Sequence, residues 1–313
     1  MNLFTGGMMK KKNKIFGFLV ITPTIIAIAI FVYGFISWTI RTSFSDWNSY
    51  RKLLSGEFVN VGFRNYERLF NDWRFQTDLW NTLFFTAFFL LGCLALGILL
   101  ASLLDKNIKG GRIFQNIFLF PMALSLVVTG TIWNWFFAPG IIPNDPAGIN
   151  MLLHNLGLDS LQWGWFTVTD GIGPFNLALI PVIIAAVWQL SGYTMAMYLA
   201  GLKSIPTVLT EAARVDGASS AQIFWKIKMP LLKPITLSAM IILGHISLKI
   251  FDLVYAMTGS GPNNVTDMPA VYMFELTFRS NRYALGSSVS IIMLLMVAVV
   301  IVPYLISTFR KGS

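Results

Sequence analysis

KSIPTVLTEAARVDGASSAQIFWKIKMPLLKP, residues 203–234, is the one long polar insertion between two strongly apolar stretches on the Lys/Arg-rich side of the chain. Pro206 suits a first helical turn, and Ala212, Ala213 and Arg214 are good helix formers. Val208, Leu209, Ala212 and Val215 recur at spacings that share one helical face, leaving Glu211 and Arg214 toward other sides. Gly217 is placed to end that helix, because glycine accepts the left-handed C′ conformation without steric cost. Ser219 with Gln222 three residues on reads as a capping box opening a second helix, which should stop near Pro230. The segment is therefore expected to form two short helices bent at a glycine, lying at a membrane surface. On composition alone it is an amphipathic pair resting on headgroups.

Working outward, the flanks are apolar runs. The 313 residues are 55% hydrophobic and 12% charged, with a mean hydropathy of +0.66. Soluble domains carry about a quarter charged residues, so this balance points to a membrane protein. The formal charge of +9 is scattered between apolar runs rather than gathered on one face, which argues against nucleic acid as a partner and for membrane topology. Cys93 stands alone in an apolar run, and His154 and His245 are not at metal-ligand spacing, so no disulfide or metal site is expected.

A basic start, residues 1–14, precedes an uncharged run over 15–40, enough to cross a bilayer that needs about 20 apolar residues. No small-x-small cleavage site precedes Arg41, which argues against a signal peptide. Residues 41–78 are polar, mixed in charge and rich in aromatics, and are expected to form a small extracytoplasmic subdomain. Apolar runs follow over 79–104, 113–137 and 175–202, then the 203–234 segment, then a fifth run from Pro234 and a sixth over 283–309, with a basic tail at 310–313. The expected fold class is all-α, a polytopic membrane protein with six transmembrane helices. With both termini inside, the inner side carries fourteen Lys/Arg and the outer side eight, six of them in 41–78. That bias puts the termini and residues 203–234 in the cytoplasm.

The literal letters of the opening segment say more. Glu211, Ala212, Ala213, Gly217 beside Asp216, Ile227 and Pro230 resemble the EAA loop of ABC-importer permeases, with Met229 where leucine is usual before the proline. ASLLDKNIKGGRIFQNIFLFPMALSLVVTGTIWNWFF looks like the second and third core helices of carbohydrate-importer permeases. So do AVWQLSGYTMAMYLAGLKSIP and SLKIFDLVYAMTGSGPNNVT, which flank the loop; the usual glycine pair reads Ser260-Gly261. The matches cover roughly residues 60–309. The first run and the 41–78 subdomain suit the larger partner of the maltose-type pair, without its very large periplasmic insertion. The resemblance implies the type I permease architecture, with five helices over 79–309 as its core, in a bacterial or archaeal inner membrane. It further implies an unlike second permease subunit, two copies of a cytoplasmic ATPase subunit docking on residues 203–234, and an extracytoplasmic sugar-binding protein. Alternating access of a central cavity is the implied mechanism, and Glu211 is the implied chief polar contact to the ATPase.

No G-x-x-x-x-G-K-[ST] phosphate loop is present. The chain is expected not to be an enzyme and to hold no cofactor, with ATP and Mg in the partner ATPase and lipid around the spans. For the solute path, Lys249 and Asp252 stand out as ionisable residues at the far end of the fifth run, and at i,i+3 they are spaced to pair with each other. Sugars bind to aromatic faces with amide and hydroxyl edges, groups that Trp133, Asn134, Trp188, Gln189 and Tyr193 supply. A polyol or glycerol-phosphate is the alternative solute, and a stand-alone secondary transporter the alternative class. Neither internal inverted repeats nor a set of buried relay carboxylates is visible in support of the latter.

Overall fold

The computed structural model describes residues 18–106 and 109–311. The basic start at 1–14, the beginning of the first run, Asn107 and Ile108, and the last two residues of the basic tail lie outside them.

Four helices are long and apolar enough to cross a membrane: Phe18–Ser43, Trp73–Leu104, Leu177–Ser204 and Tyr283–Tyr304. Two bent pairs bring the number to as many as six, Gly111–Ala123 with Leu126–Phe136 at 97° and Ser220–Leu231 with Lys233–Leu248 at 61°. In chain order the helices are α1 (Phe18–Ser43), α2 (Tyr50–Ser55), α3 (Arg64–Phe70), α4 (Trp73–Leu104), α5 (Gly111–Ala123) and α6 (Leu126–Phe136). Then come α7 (Gly148–Asn155), α8 (Ile180–Ser204), α9 (Thr207–Val215), α10 (Ser220–Leu231) and α11 (Lys233–Leu248). The last are α12 (Asp252–Met257), α13 (Pro269–Phe274) and α14 (Tyr283–Lys311). Two two-stranded hairpins, Gly140–Ile141 with Asp145–Pro146 and Gly171–Ile172 with Phe175–Asn176, are the only sheets among the described residues. The fold is all-α.

α4 and α8 form the centre of the bundle. Phe85, Phe89 and Cys93 of α4 pack with Val182, Ile183 and Ala186 of α8, and Leu243, Leu253 and Met257 close the cluster from α11 and α12. Two glycines let the backbones meet. A Cβ on Gly97 would stand 2.7 Å from Thr194 Cγ2, and one on Gly192 would stand 1.9 Å from the Phe118 carbonyl oxygen of α5.

The helix boundaries differ from the apolar runs where capping overrides hydropathy. α4 begins at Trp73, ahead of the uncharged stretch, because Asp72 accepts the Arg74 amide as N-cap. The segment joining α1 to α4 is thus 44–72, held by Asn65, whose amide donates to the Ser43 and Ser45 carbonyls at 2.8 Å each. The expected third run bends at Leu124–Ser125, where Ser125 caps α6. The expected fifth run breaks over Lys249–Phe251, and α12 turns to lie against α6.

The two glycine positions separate by packing. Gly192→Ala is expected to lower the detergent-solubilised thermal midpoint, an overpacking cost of about 1–3 kcal/mol. Gly34→Ala, whose Cβ would meet nothing nearer than the Ala29 carbonyl oxygen at 3.6 Å, should leave the midpoint unchanged in the same assay.

Candidate functional site

The 203–234 segment folds as two helices around a left-handed glycine. Pro206 stands at the N-cap position and α9 runs to Val215. Gly217 takes φ +82°, while the Gly217 and Ala218 amides bond back to the Arg214 and Ala213 carbonyls at 3.0 and 2.9 Å. Ser219 and Gln222 form a complete capping box at the start of α10. As expected, that helix stops close to Pro230, at Leu231. A wide-turn π segment over Phe224–Lys228 precedes the proline.

α9 has no buried residue. Val208 is 69% exposed and Val215 87%, so its apolar face is uncovered, and Glu211 and Arg214 are exposed beside it. No ion pair among the described residues joins those two side chains. Asp216, Gly217, Ile223 and Ile227 line a shallow groove at the bend. α10 behaves differently. Ile223 is buried, and Met229, with Leu232 just beyond the helix, packs with Tyr198, Leu199 and Leu202 at the C-terminal end of α8.

The solute-path candidates divide. Lys249 and Asp252 flank the break between α11 and α12, are exposed, and form no ion pair with each other. Helical i,i+3 geometry is lost there because the backbone leaves the helix. Asn134 donates to the Met257 carbonyl at 2.5 Å, and Gln189 donates to the Leu124 carbonyl at 2.8 Å, so both amides tie off helix ends. The Gln189 carbonyl oxygen remains buried without a partner among the described residues. Trp133 and Trp188 meet edge to face at 5.7 Å, with Trp133 stacked on Phe137. Tyr193 is half-buried one helical turn further along α8.

A polar cluster that sequence reasoning missed closes the N-terminal end of α4. The Arg74 guanidinium donates to Asp267 at 2.6 Å and to Glu275 at 2.7 Å, and lies 4.5 Å from the centre of the Tyr272 ring. Tyr272 donates its hydroxyl to Asp72. Asn81 donates to the Val265 and Asp267 carbonyls, and Asn176 donates to Asn81. Asp267 is fully buried. Burial pushes its carboxyl up to about 6, against the downward pull of Arg74 and the Met268 amide. Burial first, then Asp72, raises the Tyr272 hydroxyl above its ordinary value. The only linear hint was a run of charges and aromatics before the second apolar stretch, since the partners lie 193 and 201 residues away.

Comparison with known proteins bears on what such a site does. Residues 93–310 match the profile of the binding-protein-dependent transport system inner membrane component family. A probable ABC transporter permease protein of Pyrococcus horikoshii is 40% identical over 93% of this chain and 95% of its own. The xylose/arabinose import permease protein of Haloferax volcanii is 36% identical over 92% of this chain and 86% of its own. The multiple sugar-binding transport system permease protein of Streptococcus mutans is 31% identical over 93% and 94%. In fold, the chain is similar to one from the crystal structure of a bacterial ABC transporter involved in import of the acidic polysaccharide alginate. That likeness has a TM-score of 0.76 and 22% identity, over 94% of this chain and 96% of the other.

Removing the Arg74 guanidinium strands a buried carboxylate. Arg74→Gln is expected to lower unfolding stability at pH 7 by about 3–5 kcal/mol, read from thermal or denaturant unfolding in detergent. The pH dependence has a definite sign. In the unsubstituted chain the Asp267 value lies above that of an unfolded carboxyl, so its protonation favours the folded state most near pH 4 and that contribution is lost as pH rises through about 6. Without Arg74 the Asp267 value rises further, so the part of the Arg74→Gln deficit due to this carboxylate should shrink as pH falls toward about 6 and be gone below it.

Proposed function

The chain belongs to the family of binding-protein-dependent transport system inner membrane components, and we propose that it is the permease subunit of an ATP-driven sugar importer whose residues 203–234 receive a cytoplasmic ATPase subunit. The observation that carries the docking role is α9. Its apolar face is bare, yet its C-terminal end is set by the left-handed Gly217, and the capping box that opens α10 follows at once, so the bend is fixed by the chain's own bonds before any partner arrives. Val208, Leu209 and Val215 would enter an apolar cleft, and Glu211 would accept a charge-assisted pair from a partner arginine. Asp216 and Gly217 hold the bend, and Ile227 and Pro230 the joint behind it.

Support for a sugar as the solute comes from the relatives, two of which are named for sugars. The exposed Trp188 ring and its edge-to-face partner Trp133 supply an aromatic face of the kind a sugar needs. We place both termini and α9 in the cytoplasm from the Lys/Arg bias, with the 44–72 and 137–176 regions outside. A second permease subunit, two copies of the ATPase subunit carrying ATP and Mg, and an extracytoplasmic sugar-binding protein complete the assembly. ATP-driven closure of the ATPase pair would displace α9 and alternate the access of a central path.

Purification from native membranes through a C-terminal tag tests this reading. The unsubstituted chain should bring down an ATPase and a second permease. Glu211→Arg should reduce the recovered ATPase by about ten- to a hundredfold, the size of one lost charge-assisted contact. Recovery of the chain alone under mild conditions would overturn the proposal.

A further inference from the structure

α4 is fastened by an ion pair at each end, and both fastenings go to the same stretch of chain. With 32 residues at 1.5 Å rise it is about 48 Å long. At its inner end the Asp105 carboxylate accepts from Lys228 Nζ at 2.6 Å, with the two side chains only 20% and 25% exposed. Lys228 closes the wide-turn segment of α10, immediately before the joint with α11. At its outer end Arg74 holds Asp267 and Glu275, which follow α11 and α12. α10 and the chain beyond α12 are thus both tied to one rod. α9, by contrast, buries nothing.

We propose that Asp105 and Lys228 are positioning residues that make α10 and α4 a single lever, so that displacement of the docking segment reaches the Arg74 cluster across the membrane. This rests on the ATPase-docking reading for the force, but the fastening itself is a property of this chain. The apolar joint alone would not suffice. Met229 and Leu232 against Tyr198 and Leu202 form a non-directional contact that tolerates sliding and rotation. A short, partly shielded ion pair fixes one register. Lys228 also stands on the π segment, whose wide turn sets which side chains of α10 face α4.

The test uses the assembled transporter in nanodiscs, in a Cys93→Ala background. Nitroxide labels at Leu103→Cys and Leu231→Cys report the inner joint, and labels at Leu54→Cys and Gln76→Cys report the outer end of α4. Asp105→Asn and Lys228→Gln should each lower the population at the native inner distance, relative to the remainder, by roughly two- to fivefold, the range an ion pair of this exposure supports. Each should also reduce, by a similar factor, the population that undergoes the shift that MgATP with vanadate produces at the outer pair. The reversed pair, Asp105→Lys with Lys228→Asp, should restore both signals, which a general loss of folding would not allow. An inner distribution and an outer shift unchanged in both single variants would overturn the lever. A widened inner distribution with no MgATP shift in the otherwise unsubstituted transporter would instead overturn the docking reading and leave the fastening standing.

Discussion

A broken helix inside a bilayer exposes carbonyls that no water can reach, and each must find a donor from elsewhere in the protein. Two carbonyls of this kind, one at the bend after α5 and one at the C-terminal end of α12, are met with side-chain amides. Gln189 of α8 serves the Leu124 carbonyl, and Asn134 of α6 serves Met257. The bend of α5 against α6, the placing of α12 beside α6, and the closeness of Gly192 to Phe118 all follow from holding those two points.

The membrane class, the helix content and the two-helix form of the 203–234 segment were legible in the sequence because each rests on short-range rules. Gly217 at positive φ and the Ser219–Gln222 box are local statements, and they hold in the structure. The stop near Pro230 holds too, at Leu231, whereas nothing in residues 224–228 announces the wide turn before it. Hydropathy was blind to the breaks at 124–125 and 249–251, since an apolar run reads the same whether it is straight or bent.

What could not be read was pairing over distance. Arg74 looked like one of several outer charges until the fold set it against Asp267 and Glu275, about two-thirds of the chain away. Lys228 was counted only as a topology signal and Asp105 not at all, yet they join across 123 residues. The amides at 134 and 189 were chosen for the right physical reason, the cost of an unpaired amide in hydrocarbon. Their donors go to backbone carbonyls, which leaves only the acceptor of Gln189 open.

The Gln189 bond spans 65 residues, from a carbonyl in the earlier helix to an amide in the later one. A chain is made from its N-terminus, so Leu124 leaves the ribosome well before the side chain that completes it exists. Until α8 arrives, the Leu124 carbonyl at that corner lacks this donor, so the contact that ties α5 and α6 to the bundle there is made only after residue 189 has been synthesised.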